Sequence, residues 1–366
     1  MSKKLPLHDV HIRLGARMIE FGDYFMPLEY ESIIKEHISV RNNVAIFDIS
    51  HMGEFVVKGN SCIEFLQKVT TNNISSLSPG KAHYSCFTNE NGGVIDDIIV
   101  YCLNKNEFLI IVNSINRQKD YEWLKNNIIN NVDLYDYSDD YALFAIQGPE
   151  SLKIVSKIFG HEISYKPFTF VLKNFENIDN ILISATGYTG SLGYEILVKT
   201  KYSEKLWNII FENGEEYNLI PAGLGARDTL RIEAGLCLYG NELTEEVTPL
   251  EAGLKWIVKF DEKDFIGKQN LIRQQKNGIT KKLVGFELLE KNIARKNYKI
   301  YNDKEQLIGK VTSGTFSPYF KKSIGMGYVS KEHAEIGNEI YIDIRGKFIK
   351  AIIVKLPFYN AIRKFK

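Results

Sequence analysis

Two adjacent aspartates, Asp96 and Asp97, interrupt an otherwise apolar run, Val94-Ile95-Asp96-Asp97-Ile98-Ile99-Val100-Tyr101. The Asn91-Gly92-Gly93 before it is a tight-turn signal, so the run reads as a β-strand leaving a turn. Side chains alternate along a strand, so Asp96, Ile98 and Val100 share one face, and Asp97, Ile99 and Tyr101 share the other. A strand covered on both faces rarely carries carboxylates, because an unpaired charge is costly to desolvate. At least one aspartate is therefore expected to look into a polar cavity or meet a cation. Upstream, Pro79-Gly80 leads into Lys81-Ala82-His83-Tyr84-Ser85-Cys86-Phe87-Thr88. This segment is expected to pair with the aspartate strand as a hairpin, bringing Tyr84 close to Asp97. A sheet aromatic with its hydroxyl at the surface is the plainer alternative.

Two glycine-rich segments follow. Thr186-Gly187-Tyr188-Thr189-Gly190-Ser191-Leu192-Gly193-Tyr194-Glu195 has three glycines at a spacing of three. Such a loop lets backbone approach a flat ligand, with Tyr188 and Tyr194 available for stacking and Glu195 in the strand beyond. A hairpin with an edge glutamate is the alternative. No Gly-Lys-Ser/Thr ends the loop, so it is not a phosphate-cradling P-loop. Gly223-Leu224-Gly225-Ala226-Arg227-Asp228 starts like a dinucleotide fingerprint, but Asp228 stands where the third glycine belongs. What remains is a helix bearing Arg227 and Arg231 one turn apart. Two such charges call for an anionic partner, either Asp228 or Glu233 or a ligand carboxylate.

The elements that must hold these residues are legible in outline. The 366 residues suggest two or three domains. Strands and helices mix up to about residue 50 and over about 139–245. Residues 51–138 alternate strands such as Glu54–Val57 and Phe108–Val112 with helical stretches. One of these is a helical segment over about 115–129, on which Tyr121, Leu124 and Ile128 recur at helical spacing. The polar stretch 261–280 reads as a linker or surface helix. From residue 279, six short apolar runs bounded by turn residues predict an all-β domain, sandwich-like or barrel-like. The runs are Leu283–Phe286, Lys299–Tyr301, Ile308–Val311, Gly325–Val329, Ile340–Ile344 and Phe348–Val354.

Composition excludes some function classes. Basic residues exceed acidic ones by 46 − 45 = 1, which offers no general attraction for nucleic acid. The four cysteines form no C-x-x-C pair, and His8 and His11 lack an acidic or cysteine partner to complete a ligand set, so no metal is expected. No apolar run has the length of a membrane span, and no secretory core follows the N-terminal lysines. No membrane association and a cytoplasmic location are expected.

With these residues in place, the chain resembles the T-protein family of the glycine cleavage system, the tetrahydrofolate-dependent aminomethyltransferases. The resemblance runs through Phe47-Asp48-Ile49-Ser50-His51-Met52-Gly53-Glu54, Gly92-Gly93-Val94-Ile95-Asp96-Asp97, Ile146-Gln147-Gly148-Pro149 and Thr186-Gly187-Tyr188-Thr189-Gly190. It continues through Gly193-Tyr194-Glu195, Gly223 to Gly240, Pro249-Leu250-Glu251-Ala252-Gly253-Leu254, Val311-Thr312-Ser313-Gly314 and Ser317-Pro318. Each block is weak alone; together, in order, they span nearly the whole chain.

The resemblance implies an α+β fold, a three-domain cloverleaf around a central folate site. A first α+β domain comprises residues 1–50 and 139–245. A second, ferredoxin-like, comprises 51–138 with 246–278, and an all-β barrel or jelly-roll-like domain comprises 279–366. It also implies two partners: tetrahydrofolate as co-substrate, and the lipoylated H-protein presenting an aminomethyl group on its lipoyl arm. The implied products are methylenetetrahydrofolate, ammonia and dihydrolipoyl H-protein. The family's folate contacts map onto Met52, Tyr84, Asp97, Asn113, Tyr188, Glu195, Arg227 and Tyr239, with Asp97 catalytic. Arg295 matches an arginine at the mouth where the lipoyl arm enters. Asp96, on the opposite face from Asp97, is expected to be structural.

The chain departs from the family at Gly22-Asp23-Tyr24, Ala294 and Asn297, all outside the folate set. Two related readings are disfavoured. Flavin-linked demethylating relatives carry a domain absent here, and no flavin is expected. The folate-binding accessory factors of iron–sulfur enzymes carry a signature cysteine, whereas 264–269 here reads Asp-Phe-Ile-Gly-Lys-Gln. A non-catalytic binder that kept the fold is disfavoured by the presence of Asp97, Glu195 and Arg227 together.

Overall fold

The computed structural model describes residues 2–161, 163 and 165–359. Two of its sheets face each other. The first has six strands, in the order Phe170–Phe175, Ile178–Ser184, Gly193–Lys199, Tyr141–Gln147, Ala45–Asp48 and Ile220–Pro221. One face of this sheet packs on the helices Ser151–Phe159 and Ser203–Gly214 through Phe144, Ile146, Ile196 and Trp207. Its other face meets the second sheet: Phe47, Leu143, Ala145 and Leu197 pack with Val56, Tyr101, Leu109 and Ile111. Burying apolar residues on both faces is what places this sheet at the centre.

The second sheet is antiparallel and has five strands, in the order Lys81–Thr88, Val94–Asn104, Glu107–Val112, Gly53–Lys58 and Asp133–Asp136. Leaving out the edge strand Lys81–Thr88, its order is that of a ferredoxin-like module. The helices Cys62–Val69 and Arg117–Asn127 cover its outer face over Phe55, Phe65, Val100 and Leu124. The helix expected to reach residue 129 ends at Asn127, where Ile128 turns extended.

A smaller three-stranded sheet, Lys3–Lys4, Tyr24–Glu29 and Arg17–Phe21, lies near the N-terminus. Residues 268–277 form a helix within the lysine-rich stretch. The six runs after residue 279 become six strands of a closed barrel, which leaves no free sheet edge. Closure decides between the two all-β alternatives.

The helix Leu224–Glu233 joins these parts. A Cβ on Gly223 would stand 2.4 Å from the Leu28 carbonyl oxygen, and one on Gly225 2.5 Å from Ile33. Gly223 therefore serves close packing of this helix on the Tyr24–Glu29 segment and Gly225 on the start of the helix Ile33–Asn42, which explains the fingerprint-like spacing without a nucleotide.

Candidate active site

The hairpin forms with Cys86 opposite Asp97 and Tyr84 opposite Ile99. Tyr84 and Asp97 thus sit diagonally on one face, and the Tyr84 hydroxyl donates to Asp97 Oδ2 at 2.8 Å. Asn113, just past the strand Glu107–Val112, donates its amide to Asp97 Oδ1 at 2.9 Å and to Asp96 Oδ1 at 3.0 Å. Asp96 is fully buried on the helix-covered face, where the Asn113 backbone N–H and the Asn116 side chain also donate to it. Asp97 and Ile99 are only half-buried. The face carrying Asp97 is therefore the open one, and the face carrying Asp96 is closed by the helices. Burial, then the Asp96 charge, pushes the Asp97 carboxyl up to about 7.

Tyr101 lies farther along the same face and extends it. Its hydroxyl meets Thr186 Oγ1 at 3.3 Å, and Thr186 donates to Glu195 Oε2 at 2.5 Å. Glu195 is 9% exposed, and its second oxygen takes no hydrogen bond among the described residues. It lies on an interior strand of the first sheet, flanked by Tyr141–Gln147 and Ile178–Ser184, so the edge-glutamate alternative falls. Burial raises its carboxyl above the usual range.

The glycines around Glu195 have a specific cause. A Cβ on Gly187 or Gly193 would collide with the Gln147 side chain at 2.1 and 2.3 Å. Gln147 in turn accepts the Thr189 hydroxyl and donates to Thr186 O, fixing the loop. Tyr188 projects from this loop, half-buried, and its hydroxyl donates to the Cys237 carbonyl. Tyr194 does not stack on any open surface. It is 1% exposed and packs edge-on to Tyr165 in the first core, because its strand position faces the helices.

The two arginines separate. Arg231 is buried and pairs with Asp228 and Glu242 at 2.8 Å each, while donating to Ser313 of the barrel. Glu233 binds Arg41 and His37 instead. Arg227 has no carboxylate at ion-pair distance among the described residues. Its guanidinium stands 4.6 Å from the centre of the Tyr188 ring. Burial lowers its proton affinity, and burial with the nearby Arg227 charge pushes His51 down to about 3, so His51 is neutral.

Met52 is half-buried against the core shared by the two sheets. Tyr239 accepts from the Lys119 ammonium at 2.8 Å. Arg295 is exposed on the barrel in a cleft of about 1060 Å³ with Tyr298, Phe316 and Arg345, and none of the other expected site residues lines that cleft. A second cleft of about 810 Å³, between the two sheets near Glu54 and Tyr137, contains none of them either.

Several neighbours escaped the sequence reading. Trp256 is 57% exposed and stacks on Tyr84 at 6.0 Å between ring centres. Lys119 bridges Tyr239, the Ile95 carbonyl and Glu245. Only Tyr101 had a signal, its place on the Asp97 face. His11, by contrast, is buried between Asp48 and Tyr30 at 2.9 Å each. Among the described residues, no group of three or more His, Cys, Asp or Glu could hold a metal ion, and no helix is long and apolar enough to cross a membrane.

Comparison with known proteins agrees over nearly the full length. Residues 7–262 match the model of the GCVT N-terminal domain, and 281–360 that of the glycine cleavage T-protein C-terminal barrel domain. An aminomethyltransferase of Bacteroides thetaiotaomicron is 48% identical over 358 residues, covering 97% of this chain and 99% of that one. One from Halothermothrix orenii is 46% identical over 357 residues, with the same coverage. The crystal structure of the glycine cleavage system aminomethyltransferase T from Bartonella henselae superposes with a TM-score of 0.92 at 30% identity, covering 98% of each chain. With both domains matched and the barrel closed as in that family, the chain belongs to the glycine cleavage T-protein family of aminomethyltransferases.

Proposed function

We propose that this aminomethyltransferase takes the one-carbon unit from the aminomethyl group on the lipoyl arm of H-protein. Tetrahydrofolate is the acceptor, and methylenetetrahydrofolate, ammonia and dihydrolipoyl H-protein are the products. The observation that carries the reading is the half-open strand face on which Asp97 is held by Tyr84 and Asn113, in a chain of this family.

The unspent polar groups suit a folate. The free Glu195 oxygen can accept N–H groups from a pterin edge. Arg227, without a carboxylate of its own, offers a cation to a folate carboxylate, and Tyr188 offers an aromatic face. Met52 and Tyr84 supply apolar wall. Bound folate supplies the nitrogen nucleophiles; the chain supplies orientation and charge. Asp97, ionised and gripped at both oxygens, faces the positive charge that builds as the carbon–sulfur bond breaks. Asn113 acts by holding Asp97, because its amide is already committed to the two aspartates. Tyr239 acts with Lys119 at the rim. Arg295 is assigned to the approach of the lipoyl arm, and the setting of the reaction is the cytoplasm.

Calorimetric titration with tetrahydrofolate tests the folate contacts. Glu195→Ala is expected to weaken binding by roughly 10- to 100-fold, the range for a charge-assisted hydrogen bond. Unchanged affinity removes Glu195 from the site.

A further inference from the structure

Asp120, on the helix Arg117–Asn127, is 0% exposed, and no hydrogen-bond donor reaches either of its carboxyl oxygens among the described residues. It stands one helical turn after Asn116, whose amide donates to Asp96 Oδ1 at 2.5 Å, and this brings its carboxyl to that of Asp96. Two buried carboxylates that face each other cannot both stay ionised, so one proton belongs to the pair. The surrounding donors say where it sits. Asp96 accepts from the Asn113 backbone N–H at 2.9 Å, the Asn113 amide at 3.0 Å and the Asn116 amide at 2.5 Å. Three donors favour the ionised form of Asp96, and none favours that of Asp120.

We infer that Asp120 is a neutral carboxylic acid that donates its proton to Asp96, and that the pair positions Asp97 through the amide of Asn113. Burial and the Asp96 charge hold the Asp120 proton well above the usual carboxylate range, in agreement with this placement. Other groups bear on the pair. Lys119, on the same helix, favours ionised Asp120, and Asp97 opposes it. Facing Asp97 are Tyr84 and Cys86 from the hairpin, Cys237 after the Leu224–Glu233 helix, and Tyr188 from the glycine loop. Of these, only Lys119 is a cation, and its ammonium is engaged with the Ile95 carbonyl, Tyr239 and Glu245.

The consequence for Asp97 is geometric. The Asn113 amide reaches Asp96 Oδ1, the Asp97 carbonyl and Asp97 Oδ1 together. An ionised Asp96 accepts this amide, and the two further donors on it, more strongly than a protonated one would. A proton on Asp96 would weaken that anchor and loosen the direction in which the amide holds the Asp97 carboxylate. Asp120 is thus a positioning residue that keeps Asp96 ionised.

The positioning half of the inference rests on the proposed role of Asp97; the proton placement does not. Infrared difference spectra of the full chain at about pH 9, where Asp97 is ionised, wild type against Asp120→Asn, decide the proton. Carbon-13 labelled aspartate separates the signal from that of buried glutamates such as Glu54, whose carboxyl burial pushes well above the usual range. A protonated-carboxyl stretch present in wild type and lost in the variant is expected; its absence from wild type overturns the placement, whatever the activity. For positioning, Asp120→Ala is expected to lower kcat by up to about 100-fold with KM for tetrahydrofolate little changed. Asp120→Asn, which keeps an N–H donor toward Asp96, is expected to recover most of that loss. Equal loss in both variants, or a change confined to KM, overturns it. A wild-type chain without transfer activity would refute the functional reading and leave the spectral result to stand or fall by itself.

Discussion

In the proposed reaction Asp97 works as a carboxylate only while ionised, and burial beside Asp96 holds its proton to about 7. The acid limb of activity is therefore expected near pH 7, with kcat/KM falling below it. Asp97→Asn is expected to cut kcat by roughly 100- to 1000-fold and to abolish that limb. A pH profile retaining the limb in the variant would assign it to another group. Stability should move the opposite way. The folded-state proton affinity lies above the unfolded value of 3.8, so ionised Asp97 costs stability progressively as pH rises from about 4 to about 7. Asp97→Asn should accordingly melt roughly 2 °C higher than wild type at about pH 8, with little difference at about pH 4. Thermal scans at the two pH values check the sign; a lower melting point at the higher pH contradicts it.

The element that presents Asp97 is the hairpin, and its turn is pinned from outside. A Cβ on Gly93 would lie 1.8 Å from the Glu245 carbonyl oxygen, an atom to which Asn89 donates at 3.1 Å. Val94 N–H donates to the Val247 carbonyl at 2.9 Å. Gly93→Ala must push this segment away, at a cost of about 1–3 kcal/mol. Denaturant titration with an unchanged midpoint would show that the contact can give. The strand itself was legible because alternation put Asp96 and Asp97 on opposite faces, and the hairpin register then delivered Tyr84. The six barrel strands were equally legible from apolar runs between turn residues. What did not show in the sequence came from distant segments. Trp256 reaches Tyr84, and Lys119 reaches Tyr239, only through folding. Arg227 and Arg231 look alike in sequence; Arg231 takes the local Asp228, but the remote Glu242 and Ser313 that complete its pairing do not show there. Asp120 reads as an ordinary acidic residue in a first helical turn, a position where a negative charge is usually favoured.

At the scale of the molecule, the helix Leu224–Glu233 carries Arg227 toward the site and ties the sheets to the barrel. Arg231 is buried between Glu242 and Ser313, and Glu233 holds Arg41, His37 and the Ser317 hydroxyl at the other side. Removing one partner of such a buried pair strands the other charge, so Glu242→Ala is expected to cost about 3–5 kcal/mol. Calorimetry is expected to show a marked fall in melting temperature; a change under about 1 kcal/mol would mean that water or Asp228 takes over the pairing.

The central claim is that this open carboxylate face passes a one-carbon unit to folate. Ammonia release from aminomethyl-loaded H-protein, followed with and without tetrahydrofolate, tests it most directly. Release that depends on tetrahydrofolate, with methylenetetrahydrofolate formed in step and both lost in Asp97→Asn, is the predicted result. Tetrahydrofolate that binds without accelerating release would contradict the account.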